Sequence, residues 1–282
     1  VDLKPGKYHL EETAAPNGYV AITKVDFEVE ADGTITVTNQ TTTGDVEVAD
    51  GVVTIKDDYV TRTYHFKKTD ITGTSEVDKA DLEITGREKN AKQDIKPISW
   101  TSDTSTSGKT VELKPGEYTL KETAAPDGYE AITEVKFTVD LDGKITVTQQ
   151  STTGEVEVVG DTVIVKDDNK PGDVTFSKKD IAGKEVVGAK LQITGRETGK
   201  KTDIKPITWT TQSGKDETVS LRPGSYMLHE ESAPNGYVVI TDVTFDVDVV
   251  NGKAVVTVTG KTTTGDVTVD QDGKVIITDD IT

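Results

Sequence analysis

The chain has 282 residues, 33% hydrophobic and only 5% aromatic, which is little apolar mass for one globule of that length, so several small domains fit better. A formal net charge of −18 opposes a nucleic-acid partner, since phosphate binding needs the opposite sign, and suits an exposed surface protein that must stay soluble. With no cysteine and three histidines there is no disulfide framework and no zinc or thiol site, and no apolar run approaches the length of a membrane span.

The first recognisable segment is LKPGKYHLEETAAPNGYVAIT from Leu3, and it returns as LKPGEYTLKETAAPDGYEAIT from Leu113 and LRPGSYMLHEESAPNGYVVIT from Leu221. A period of about 110 residues is too long for a solenoid and close to one ordinary domain, so the copies read as beads on a string, each with its own core. Behind each box comes a hairpin: VDFEVEADGTITVT from Val25 alternates apolar and polar residues across a turn, and VKFTVDLDGKITVT and VTFDVDVVNGKAVVTVT repeat the pattern. The Thr-rich blocks that follow, beginning at Thr41, Ser151 and Thr262, read as strand and turn rather than glycosylated stalk.

Each copy closes on an apolar strand ending in paired aspartates, at Asp58, Asp168 and Asp280. After the first two, YVTRT and NKPGD read as connections of about five residues, which suggests a semi-rigid rod. Two blocks occur only twice: FKKTD from Phe66 with FSKKD from Phe176, and LEITGRE from Leu82 with LQITGRE from Leu191. The expected organisation is a partial module over 1–58 that lacks its N-terminal strands, then complete modules over 59–168 and 169–282. No stretch keeps a helical period, so the fold class is all-β, with tandem sandwiches of roughly seven strands each.

LKPGEYTL followed by ETAAPDGY, with FSKKD opening a unit and an Asp-terminated strand closing it, closely resembles the Cna B-type (collagen-adhesin B-repeat) domains of Gram-positive surface adhesins and sortase-assembled pili. The resemblance covers essentially the whole chain, although the last box reads EESAPNGY. It implies an immunoglobulin-like sandwich closed by a spontaneous isopeptide bond from Lys to Asp or Asn, with a Glu of the box assisting.

Strand alternation selects residues for such chemistry independently. Val174, Phe176 and Lys178 share one face, as do Tyr64, Phe66 and Lys68. At the closing strands Asp167 aligns with Val163 and Val165, Asp279 with Val275 and Ile277, and Asp57 with Val53 and Ile55, which leaves Asp58, Asp168 and Asp280 facing outward. In the boxes Glu122 shares a face with Leu120, Glu230 with Leu228, and Glu12 with Leu10. Each complete unit thus sends one Lys, one Glu and one Asp toward an apolar interior.

Burial lowers a lysine pKa to about 5 or 6 and raises a carboxyl to about 8 or 9, the states an amine and an acid need to condense. Alternation alone equally allows a buried ion pair with no covalent link. The resemblance implies bonds from Lys68 to Asp167 and from Lys178 to Asp279, with Glu122 and Glu230 as proton shuttles. In the first unit Glu12 and Asp57 are present, but no strand precedes Leu3 to bring a lysine, so Asp57 is expected to be the unpaired equivalent, with the missing part upstream.

The remaining signals are weaker. Asp140–Gly143 and Asp270–Gly273 resemble pieces of a calcium loop but sit at hairpin turns and lack the downstream Glu, so turn chemistry is expected, and no metal or cofactor. Trp100 and Trp209, at matching positions, are expected to pack in the core or between domains, and His9, His65 and His229 to be exposed. No triad, metal cluster or phosphate loop is present, so no turnover enzyme is expected. The functional expectation is a stalk or pilus-shaft segment, extracellular and anchored to a Gram-positive cell wall. Its partners would be the upstream and downstream domains of a parent surface protein, with neither nucleic acid nor membrane insertion in this piece. The alternative is binding of a host matrix protein or glycan by the repeats themselves, for which the loop TSDTSTSGKT from Thr101 is the one candidate.

Overall fold

A computed structural model describes residues 1–21, 24–40, 44–105, 107–132, 134–150, 153–239, 242–261 and 265–282. The Thr-rich stretches at 41–43, 151–152 and 262–264, and Thr106 of the candidate binding loop, lie outside the described residues. Among the described residues every regular element is a strand.

The first unit contains β1 (Gly6–Leu10), β2 (Tyr19–Val20), β3 (Val25–Val29), β4 (Ile35–Gln40), β5 (Asp45–Ala49), β6 (Val52–Lys56) and β7 (Asp58–Tyr59). The middle unit opens with β8 (Arg62–Asp70), β9 (Asp81–Glu88), β10 (Ile98–Thr101), β11 (Lys109–Leu113) and β12 (Gly116–Ala124). It continues through β13 (Tyr129–Glu130), β14 (Val135–Val139), β15 (Ile145–Gln150), β16 (Glu155–Val159) and β17 (Thr162–Asn169). The last unit has β18 (Gly172–Asp180), β19 (Lys190–Glu197), β20 (Ile207–Thr210), β21 (Glu217–Leu221) and β22 (Gly224–Ser232). It ends with β23 (Asp242–Val250), β24 (Lys253–Lys261), β25 (Asp266–Val269) and β26 (Val275–Asp279).

The middle unit stacks the sheet β10-β9-β12-β14-β15 on β11-β8-β17-β13, with β16 also pairing β17. The last unit repeats this as β20-β19-β22-β23-β24 on β21-β18-β26-β25. Among the described residues the second and third units therefore carry ten and nine strands rather than about seven, because short strands such as β10 and β13 in one and β20 and β25 in the other add to the edges. In the first unit, among the described residues, β1 pairs β3 alone, β3 pairs β4, β2 pairs β7 and β5 pairs β6. The joins are also shorter than the sequence suggested. Only Val60 and Thr61 separate β7 from β8, and only Lys170 and Pro171 separate β17 from β18.

Alternation places the apolar side chains where the two sheets of a unit face each other. One core gathers Tyr64, Phe66, Leu82, Ile84, Leu120 and Phe137, and a separate one gathers Phe176, Leu191, Ile193, Leu228, Phe245 and Ile277. The aromatic packing repeats: Tyr118 stacks on Phe137 at 5.6 Å, Tyr226 on Phe245 at 5.7 Å and Tyr8 on Phe27 at 5.6 Å. Trp100 and Trp209 lie against Phe66 and Phe176 at 6.0 and 5.6 Å, half-buried at the rim of each core as expected.

The turns follow local chemistry. Asn251 and Gly252 both take positive φ, 50° and 75°, which a two-residue hairpin loop between β23 and β24 requires. At Asp140 the side chain accepts the Lys144 N–H at 2.8 Å while its carbonyl accepts Gly143, and Asp270 does the same with Lys274 and Gly273, so both motifs are turns. Gly195 is glycine for another reason: a Cβ there would lie 2.4 Å from the Ser225 carbonyl and 2.7 Å from the Tyr226 Cα on the neighbouring strand. Gly195→Ala should destabilise the last unit by about 3 kcal/mol, the upper range for overpacking, because backbone must move. Chemical denaturation reads this out, and an unchanged midpoint would contradict it.

Candidate functional site

Three side chains of each complete unit meet between the sheets. Lys68 follows Tyr64 and Phe66 into the interior, and all three are buried. Strand β17 runs parallel to β8, with Val165 opposite Lys68 and Asp167 opposite Asp70. Lys68 and Asp167 are therefore diagonal neighbours on one inward face, within reach of each other. From the facing sheet comes Glu122 on β12, immediately before a register shift against β9 that ends the regular pairing.

The Lys68 Nζ donates to Oδ1 of Asp167 and, at 3.1 Å, to Oε2 of Glu122. The same Oε2 accepts the backbone N–H of Ile132 at 2.8 Å, so a main-chain donor fixes the glutamate. Both carboxylate side chains are fully enclosed and Lys68 is 2% exposed. The other carboxylate oxygens, Glu122 Oε1 and Asp167 Oδ2, have no hydrogen-bond partner among the described residues. Two enclosed carboxylates against one cation cannot both stay ionised at low cost. Burial pushes Glu122 up to about 7, against the pull of Lys68, and burial likewise raises Asp167.

The last unit repeats the arrangement. Strand β26 runs parallel to β18 with Ile277 opposite Lys178, which places Asp279 on the same diagonal. Lys178 Nζ donates to Asp279 Oδ1 and, at 3.1 Å, to Glu230 Oε2, with all three side chains at most 1% exposed. Burial raises the Asp279 carboxyl here too. Ile240, the counterpart of Ile132, lies outside the described residues. In the first unit Glu12 and Asp57 are only half-buried, and among the described residues no lysine of that unit stands where Lys68 and Lys178 stand in theirs.

Chemically, each complete unit holds an amine against the carboxyl of an aspartate and a second carboxyl beside them, out of water. That geometry serves a buried ion pair, and it equally places a nucleophile, an electrophile and a proton carrier within contact.

An expectation about the outward aspartates also fails. Asp168 does not face solvent but is buried, with Lys200 at 2.7 Å and Arg222 at 3.9 Å. Alternation correctly turned it out of its own sandwich, but the next unit covers that face. Asp58 is half-buried in the same way, bound by Lys114 through both oxygens at 2.9 and 2.8 Å, while Asp280 is exposed. The basic partners went unnoticed in the sequence, yet for two of them a signal existed: whereas Lys200 lies in the turn after β19, Lys114 and Arg222 each sit in the L-[KR]-P-G turn of a box. The Tyr four residues on locks that turn by donating to the basic residue's carbonyl, Tyr8 to Lys4, Tyr118 to Lys114 and Tyr226 to Arg222, each at 2.7 Å. His9 and His229 pair with Asp26 and Asp242 at the surface, away from the buried triads.

Comparison with known proteins matches this chain to the family model described as SpaA, prealbumin-like fold domain, over residues 1–43, 62–153 and 172–264. No curated protein sequence matches it. Among solved structures, the pilus adhesin SpaC from Lactobacillus rhamnosus GG is 15% identical, covering 98% of this chain and 44% of that one, with a TM-score of 0.39. A streptococcal ancillary pilin is 19% identical over 99% of this chain and 76% of its own, at a TM-score of 0.34. The Bacillus anthracis TIE protein is 21% identical over 98% and 41%, at 0.32. The chain thus spans less than half the length of the SpaC adhesin it matches. With the family model covering one segment of each unit and every described element a strand, the chain belongs to the SpaA family of prealbumin-like domains, in agreement with its Cna B-type resemblance.

Proposed function

We propose that the chain is a stalk segment of a Gram-positive surface adhesin or pilus, outside the cell and anchored to its wall, whose two complete units mature by forming internal amide bonds. The observation that carries the reading is the buried Lys–Glu–Asp cluster, built twice between the first and last strands of a sandwich in a chain without cysteine.

In the maturation step the lysine passes its extra proton to a carboxylate of the cluster and attacks the aspartate Cγ. The C–N bond forms, the C–O bond to the carboxyl hydroxyl breaks, and that hydroxyl leaves with one amine hydrogen as water. Glu122 in the middle unit and Glu230 in the last relay the proton and polarise the carbonyl. The reaction runs once per unit, so it is maturation and not turnover.

Intact-mass measurement tests this directly. The folded chain should weigh two waters less than its sequence. Lys68→Ala and Lys178→Ala should each restore one water beyond the change expected from the substitution. A folded chain with the full sequence mass would reduce both clusters to ion pairs and end the proposal.

A further inference from the structure

The joint between the middle and last units has a defined anatomy. On the middle unit it is made by Ile71, just after β8, and Asp168, at the end of β17. On the last unit it is made by the turn after β19 and by the basic residue of the L-[KR]-P-G turn. Gly199 presses so close to Ile71 that a Cβ on it would lie 2.9 Å from the isoleucine side chain, and Ile71 is only 3% exposed. Lys200 binds Asp168 at 2.7 Å. Arg222 donates to the Asn169 carbonyl and, at 2.8 Å, to Glu130.

The earlier joint uses the same places. Lys114, the counterpart of Arg222, binds Asp58, and Asn90, the counterpart of Gly199, donates to the Tyr59 hydroxyl at 2.7 Å. Asn90 and Gly199 share a left-handed backbone, φ 61° and 77°, so the turn keeps its shape while its side chain changes.

The last unit carries the same receiving residues, and they are exposed. Ile181 occupies the position of Ile71 and is 62% exposed. Asp280 occupies the position of Asp168 and is exposed, its side chain accepting only the Gly265 N–H at 3.3 Å among the described residues. Ile281 beside it, 52% exposed, is bridged to Tyr237. The backbone is already in docking form: the Thr282 N–H donates to Gly236 at 3.0 Å, as Lys170 does to Gly128 at 2.9 Å and Val60 to Gly18 at 3.0 Å. An open isoleucine and an open acid at these two positions are the features that the following unit covers one joint earlier, where Ile71 and Asp168 are buried.

The geometry points to this end face, Ile181 with Asp280 and Ile281, as a docking surface for another module of the same kind. That module seats the turn after its Gly-Arg-Glu strand on Ile181 and its L-[KR]-P-G cation on Asp280. The inference rests on the joint between units and is independent of whether the amide bonds form.

Because the chain has no cysteine, a single introduced thiol reports the joint cleanly. In the present chain, Ile71→Cys should react slowly with a thiol-alkylating reagent and Ile181→Cys rapidly. Repeating residues 171–282 directly after Thr282 reproduces the Lys170–Pro171–Gly172 spacing of the existing joint. In that extended chain the Ile181→Cys thiol should slow by roughly tenfold or more, a modest docking free energy. Adding Asp280→Ala, a surface change that disturbs no core, should restore part of the rate. Rapid alkylation of Ile181→Cys in an extended chain whose Ile71→Cys thiol stays protected would overturn the proposal, as would an Asp280→Ala change without effect.

Discussion

The Lys178→Ala variant is expected to lose its last unit at a temperature about 20 °C or more below the parent chain. The proposed bond spans 101 positions, and a cross-link over a loop of about 100 residues stabilises by about 4.7 kcal/mol in the chain-entropy model, with each kcal/mol moving the midpoint of a domain this size by about 4–8 °C. The middle unit has its own core and its own cluster, so its transition should stay in place and the melt should split in two. The midpoint alone does not separate a bond from an ion pair, since removing one partner of a buried pair costs about 3–5 kcal/mol. The pairing of melt and mass does: a lower midpoint with one water regained supports the bond, whereas a lower midpoint from a parent of full sequence mass rejects it.

Glu122→Ala should slow bond formation in the middle unit by about 10²–10⁴-fold, the usual contribution of a positioned acid or base. The pH dependence follows from the raised carboxyls. The reactive arrangement contains Glu122 as the neutral acid, and burial sets its pKa at about 7. Chain refolded from never-folded, unbonded material should therefore close its middle unit at a rate that falls about tenfold per pH unit above that value. A rate that climbs steadily from pH 7 to 9 would remove Glu122 from the mechanism.

The same shifts fix the sign for stability of the unbonded pocket. Glu122 and Asp167 hold protons more tightly folded than unfolded, so their contribution is complete below the ordinary carboxyl range and is lost as pH rises, that of Glu122 through about 7. The Lys68→Ala variant should accordingly melt lower at pH 8 than at pH 5.

Much of the site was legible because period-two alternation carries it. Once Phe66 and Phe176 are placed inside, Lys68 and Lys178 must follow, and the same step brings in Asp167, Asp279, Glu122 and Glu230. What alternation does not encode is what lies beyond the outer face of a sheet. Asp168 and Ile71 are buried by residues more than thirty positions away, in another unit, and nothing in their own strands distinguishes them from Asp280 and Ile181. The backbone donor of Ile132 was equally invisible, because a main-chain N–H has no residue signature. Strands of two to four residues, such as β13 in the middle unit and β20 and β25 in the last, are too short to show a clear period, which is why the strand count came out low.

Parallel pairing of the opening and closing strands decides how a unit answers tension. Pulled from Gly172 and Asp279, β18 and β26 are drawn past each other lengthwise, so their ladder is loaded in shear and does not peel open one rung at a time. A covalent tie from Lys178 to Asp279 would carry the pull across the sandwich and shield everything between. The roughly 100 residues in that span would otherwise unravel to as much as about 330 Å of slack at 3.3 Å per residue. A string of such units would hold its length until a chemical bond fails.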